Sequence, residues 1–238
     1  MKKVLFWDFD GTLGGRIDGL YGRAWSASMW EALQMMNLHE KTTVEDILAH
    51  LEQGFPWQEP EIPHLHLHTP ALWWEHICKI FQKIYISLGY SPELAVTLSA
   101  IAKDKYVDLS RWELYPDTMP VLRELAAEGW THYIVSNHVP ELRVIVEHLG
   151  LKPLIEDVIN SAEVGYEKPN QEIFRIALRQ AGEPEQVWMI GDNIVADVLG
   201  AQSVGIPSIL VRHSDPRAAH QFQDFYGVLT FLRDSIHK

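Results

Sequence analysis

The sequence predicts an α/β fold, a doubly wound, Rossmann-like parallel sheet core with an inserted all-helical domain, and three observations predict it. From about residue 116 onward, helical patterns alternate with short β-branched runs, the order expected of βαβ units and a parallel sheet. Between Gly14 and about Trp112 several helical patterns follow one another with no convincing strand among them. Ahead of that block stands a lone apolar run at residues 4–7 (VLFW), which needs the later strands as its partners.

Taken in order, residues 4–7 read as a buried strand followed at once by Asp8 and Asp10, two carboxylates that strand period puts on one face. Gly14 and Gly15 mark the crossing into the insertion, and their permissive backbone suggests a hinge there. The insertion's first helix carries Trp25, Met29, Leu33 and Met36. Thr42 with Glu45 forms a capping box ahead of Val44, Ile47, Leu48 and Leu51, and Gly54 and Pro56 end that helix. Thr69-Pro70 opens a helix whose face is Trp73, Ile77, Ile80, Phe81, Ile84 and Leu88, and Ser91-Pro92 opens another with Leu94, Leu98 and Ile101. Past the insertion, Asp117 opens a helix that stops at Gly129. Pro140 starts one that stops at Gly150, and Asn170 precedes one ending near Gly182. Strands are expected at 132–135, 158–160, 187–190 and 208–211.

Bulk properties narrow the function. An apolar fraction of 47% with nine Trp in 238 residues is ample for a core. Lys and Arg total 20 against 32 acids, a net charge of −12 with no basic run, which disfavours nucleic acid as a partner. Cys78 is the only cysteine, so no intramolecular disulfide forms, and no secretory signal or run of membrane-spanning length is evident. A cytoplasmic protein without membrane contact is expected, as a monomer or a homodimer.

In open parallel sheets ligands bind outside the carboxyl ends of the strands. Those positions here hold Asp8, Asp10, Gly11 and Thr12, then Ser136 and Asn137, then Lys168 in GYEKP, then Asp192, Asn193 and Asp197 in GDNIVAD. DFDGTL, VSN, EKP and GDNIVAD, in that order and with a helical insertion after the first, resemble the four motifs of the haloacid dehalogenase-like hydrolase superfamily, most of whose members are phosphatases. The resemblance spans the chain, with a catalytic core at 1–13 and 113–238 and a helical cap at 14–112.

The resemblance implies an Mg2+-dependent hydrolase of small phosphomonoesters. The metal would be held by the Asp8 and Asp192 carboxylates and the Asp10 backbone carbonyl, a donor set that suits magnesium. Asp8 would attack phosphorus and form an aspartyl-phosphate. Asp10 would protonate the leaving alkoxide and then activate the hydrolytic water. Lys168 would offset the clustered acids. Ser136 would hold phosphoryl oxygens with help from Asn137 and Thr12, and Asp197 would support Lys168 or a water of the metal. An Asp at position 10 disfavours dehalogenation, since no oxygen leaving group there needs a proton. A sugar phosphomutase and a non-catalytic binding or scaffold protein on the same fold are the alternatives.

Secondary features have plainer readings. His64, His66 and His68 alternate in the loop FPWQEPEIPHLHLHT without the spacing of a zinc motif, so a solvated loop or one that helps close the cap is expected. His138 is either a helix-start residue or a substrate contact. Trp57 is the tryptophan placed to face a ligand, and Arg16 and Arg23 are expected at the solvated surface.

Overall fold

In the computed structural model strand β1 (Lys3–Trp7) is central and almost wholly buried, which is why its sequence is an unbroken apolar run rather than an alternating one. Residues 2–17, 23–51 and 54–236 are described; the outer ends of the expected core, Met1 and Lys238, lie outside them. After β2 (Gly14–Arg16) and β3 (Trp112–Leu114) come β4 (Trp130–Ser136), β5 (Ile155–Asn160), β6 (Gln186–Gly191), β7 (Ser208–Val211) and β8 (Gln221–Phe222). The main sheet has six strands in the order β5-β4-β1-β6-β7-β8, and all its pairings are parallel. The order runs away from β1 in both directions, which opens a crevice at its carboxyl end.

Helices cover both faces. Alternate β1 side chains enter different cores: Val4 and Phe6 pack with Ile173, Phe174 and Ala177 of α8 (Gln171–Gln180), whereas Leu5 and Trp7 share a core with Val121, Leu122 and Leu125 of α5 (Thr118–Ala127). The remaining helices of this part are α6 (Leu142–His148), α7 (Ser161–Val164), α9 (Gly200–Gln202) and α10 (Phe225–Ile236), with a π-helical turn at Ile194–Leu199. The α6 helix begins later than Pro140, with Glu141 as its N-cap.

Between β2 and β3 lie α1 (Ala24–Met35), α2 (Val44–Leu48), α3 (Pro70–Ser87) and α4 (Pro92–Tyr106). Thr69 and Ser91 cap α3 and α4 by accepting from the Leu72 and Leu94 amides. Trp73, Trp74, Ile77, Phe81, Ile84 and Tyr85 form the buried face of α3. The buried face of α4 is centred on Ala95, Leu98 and Ala102, with Leu94 and Ile101 at its margin. Met36 is exposed and does not continue the α1 face.

Two expectations are corrected here. The capping box belongs to Thr43 and Asp46, not Thr42 and Glu45, because the Thr42 hydroxyl is bonded to Tyr90 Oη at 2.8 Å and its carbonyl accepts from Trp30 Nε1. The insertion is also not strand-free at its ends: β2 and β3 pair antiparallel, so both chain crossings run through one ribbon. A Cβ at Gly14 would collide with the Glu113 carbonyl, so this glycine permits close strand approach. No described helix is long and apolar enough to cross a membrane.

Candidate active site

Parallel register gathers the strand-end residues. Trp7 lies level with Ile134 of β4 and Ile190 of β6, and the Asp8 amide donates to the Ile190 carbonyl at 2.9 Å. Asp8, Ser136 and Asp192 therefore emerge side by side as their strands end. Lys168 reaches them from the segment between α7 and α8.

Asp8 is buried and held on one oxygen, where Oδ1 accepts from Ser136 Oγ at 2.8 Å and from Lys168 Nζ at 2.7 Å. Its Oδ2 has only a long contact of 3.5 Å from Thr12 Oγ1. Lys168 Nζ also donates to Asp197 Oδ1 at 2.5 Å and to the Val135 carbonyl at 2.8 Å. Burial works against the lysine's charge, but Asp197 and Asp8 beside it push its pKa up to about 12, so it is a fixed cation among the acids. Asp197 is engaged on both oxygens, since Oδ2 accepts from the Asn193 amide at 2.9 Å. The close packing of that carboxylate depends on Gly191, where a Cβ would strike it.

Asp10 has its pKa pushed up to about 7, first by burial and then by Asp8 and Asp192, against the pull of Arg16. Ligand oxygens of Asp8, Asp192 and Asp197 lie within 4.8 Å of one another, an all-oxygen set of the kind a hard divalent cation takes.

Thr12 and Asn137, expected to help orient the phosphate, both lie in the site and are engaged by other groups of the protein. Thr12 is fully buried and donates to Asp192 Oδ1 at 3.1 Å, which commits its hydroxyl to the carboxylates and away from a phosphate. The Asn137 side chain is used on both sides by the backbone of Lys168: Nδ2 donates to its carbonyl at 2.9 Å and Oδ1 accepts from its amide at 2.7 Å. It positions the lysine. No local signal in the sequence marks Arg212. Its Nε donates to the Thr12 carbonyl at 3.0 Å while Nη2 donates to Asp117 at 2.8 Å, which braces the turn after β1.

Over these groups lies a cleft of about 560 Å³, whose far wall includes Trp25, Trp57 and Tyr106. Trp57 faces it, as expected, but Trp25 reads in the sequence only as part of a helix stripe, and no local signal marks Tyr106. His138 also lines the cleft. It is buried against Phe9 and Trp112, neither ring nitrogen has a hydrogen-bond partner, and burial pushes its pKa down to about 4. Arg23 is exposed and paired with Glu45, whereas Arg16 is buried, its guanidinium over the Tyr106 and Trp112 rings and its Nη1 bonded to the Tyr106 carbonyl. The expectation of a solvated Arg16 is thus overturned, because two aromatic faces and a carbonyl replace water around it. The alternating histidines flank and include a short 3₁₀ turn, Leu65–Leu67, with His64 Nε2 against the Pro56 carbonyl and His68 Nδ1 against that of Leu65.

The family model of the haloacid dehalogenase-like hydrolases matches residues 2–205. The chain belongs to this family. Among its relatives is a glyceraldehyde 3-phosphate phosphatase of Methanothermobacter thermautotrophicus, 36% identical over 51% of this chain and 55% of the relative. A phosphoserine phosphatase of Thermus thermophilus is 33% identical over 59% of this chain and 58% of its own length. The chain thus matches a little over half the length of these two relatives. The crystal structure of a phosphatase of the family from Thermococcus onnurineus superposes with a TM-score of 0.65, covering 98% of both chains at 23% identity, which is a likeness of fold.

Proposed function

We propose that the protein is a magnesium-dependent phosphatase of small phosphomonoesters that works through an aspartyl-phosphate, an acyl phosphate on Asp8, with the helical block as a cap over the site. The observation that carries this reading is the fixing of Asp8 Oδ1 by Lys168 and Ser136 next to Asp192, with a second acid, Asp10, two residues away and raised to about 7. The relatives' activities on phosphorylated small molecules point the same way.

In this reading the Asp8 carboxylate attacks phosphorus, the bond from phosphorus to the leaving oxygen breaks, and Asp10 gives that oxygen its proton. Asp10, now ionised, takes a proton from the water that attacks the aspartyl-phosphate, and inorganic phosphate leaves. Burial, the largest cause of its raised pKa, favours the protonated form that the first step needs. Lys168 aims Asp8, Asn137 holds Lys168, and Asp197 completes the lysine's environment. Asp8 and Asp192, with the Asp10 backbone carbonyl, are the groups to hold Mg2+, and Asp197 is the less available carboxylate because both its oxygens are engaged. When bound, the ion offsets the charge of the phosphate dianion that a carboxylate nucleophile would otherwise repel.

The test is phosphate release from acetyl phosphate by the purified protein with Mg2+. Asp8→Asn should lower the rate by about a thousandfold or more, EDTA should abolish it, and beryllium fluoride should inhibit by forming an Asp8 adduct. Activity surviving in Asp8→Asn would sink the mechanism.

A further inference from the structure

The cleft has two chemically distinct halves, and only the charged half is used by the mechanism above. The other half is aromatic and rigid. Trp25 stacks on Tyr106 with ring centroids 3.7 Å apart and 11° between planes, and on Trp57 at 5.6 Å and 21°. Trp57 in turn stacks on Phe55 at 4.6 Å. Rings locked against one another lose little freedom when a further flat group joins them, so such a wall is preorganised for stacking.

Charge narrows the occupant further. Among the described residues lining the cleft Lys168 is the only Lys or Arg, and it is already committed to Asp8, Asp197 and the Val135 carbonyl. The two internal stretches outside the described residues, 18–22 and 52–53, contain no Lys or Arg in their sequence. A carboxylate or second phosphate on the leaving group would therefore enter a space shared with Asp8, Asp10 and Asp192 and meet no uncommitted Lys or Arg among the described lining residues, the Mg2+ of the proposed mechanism being taken up by the transferred phosphoryl group. His138 lines the cleft too, but both its ring nitrogens are shut off from it, so the ring adds to the flat lining rather than a hydrogen-bonding group. The volume, about 560 Å³, has room for a ring-bearing group.

We infer that the substrates are phosphomonoesters whose leaving group is flat and uncharged, an aryl or heteroaryl-bearing alcohol, seated against Trp25 and Trp57. This selects against phosphorylated acids and bisphosphates. The inference rests on the phosphatase reading, and the experiment separates the two.

The Mg2+-loaded protein is assayed on acetyl phosphate, phenyl phosphate, 4-carboxyphenyl phosphate and phosphoglycolate. Phenyl phosphate should exceed 4-carboxyphenyl phosphate and phosphoglycolate in kcat/KM by about tenfold or more. In Trp57→Ala the ratio of kcat/KM for phenyl phosphate to that for acetyl phosphate should fall by about fivefold. Equal or reversed preference for the carboxylated substrates in the wild type would overturn the inference while leaving the phosphatase reading intact. So would an unchanged ratio in Trp57→Ala. Failure to release phosphate from any of the four would overturn the phosphatase reading and the pocket assignment with it.

Discussion

On the floor of the cleft each charged group answers to one from another segment of the chain: Asp8 after β1 meets Lys168 from the segment before α8, and Lys168 meets Asp197 from the turn after β6. Across from it, Trp25, Trp57 and Tyr106 from α1, the 55–69 loop and α4 hold one another by ring packing. The floor is a low-dielectric network in which no member is dispensable, because removing one leaves its partner buried and uncompensated. The wall is a sum of small contacts, and loss of one ring is graded. On the proposed function, chemistry is therefore concentrated in a few residues, while recognition is spread over many.

The sharpest way to break this contrast is Lys168→Met. With the cation gone, Asp8 and Asp197 remain buried beside Asp192, and the folded state should lose about 3–5 kcal/mol, read as a shift in the urea midpoint, along with phosphate release. Replacing Asp197 by Asn in the same chain should recover part of the stability but none of the activity. A Lys168→Met protein as stable as the wild type would show that the floor is not the coupled network described.

The same contrast explains what could be read from the sequence. Asp8, Ser136, Lys168, Asp192 and Asp197 are legible because charge at the end of an apolar strand is costly and has to be answered elsewhere, so the residues that answer it also stand at strand ends. Roles within the network are less legible. Thr12 and Asn137 have hydrogen-bonding capacity that suits phosphate equally well, and only the packed structure shows it consumed by Asp192 and by the Lys168 backbone. The β2–β3 ribbon was hidden because GGR and WEL are too short to show alternation. Thr42 and Thr43 are adjacent residues of one type, and which of them caps α2 is decided by Tyr90, 48 positions away. Trp25 and Tyr106 were legible as helix residues, but their meeting at 3.7 Å is a tertiary event with no local signature.

A second prediction concerns a polar group on the far side of β1, away from the chemistry. His132 Nδ1 accepts from Trp7 Nε1 at 3.0 Å, and since indole is only a donor, the proton of the neutral ring must be on Nε2, which donates to the Leu122 carbonyl at 2.9 Å. Burial pushes the folded pKa of His132 down to about 4 from an ordinary 6.5. The unfolded chain therefore binds this proton first as pH falls. The stability from the neutral pair is complete above pH 6.5 and is lost between 6.5 and about 4, a change of about 3 kcal/mol. His138, pushed down likewise, adds to the loss with the same sign. Urea titrations at pH 7.5 and 4.5 should show a smaller difference in His132→Gln than in the wild type by about that amount, and equal differences would refute the assignment.

The smallest effect falls where floor and wall are tied together. The loop that carries Trp57 is bound to the core on both flanks of Lys168: Asn170 Nδ2 donates to the Pro60 carbonyl at 2.9 Å, and the His64 amide donates to the Gly165 carbonyl at 2.8 Å. Asn170 has a second task, because its Oδ1 caps α8 by accepting from the Glu172 amide at 3.0 Å, so an alanine there would confuse two losses. Asn170→Asp separates them, keeping the capping oxygen while turning the donor to Pro60 into an acceptor that its carbonyl repels. The expected cost is about 1 kcal/mol, accompanied by faster proteolysis within residues 55–69 and a rise in KM for phenyl phosphate with kcat little changed. A fall in kcat with KM constant would mean that the loop acts on the phosphoryl site itself, and the division between a floor for chemistry and a wall for recognition would have to be redrawn at Lys168.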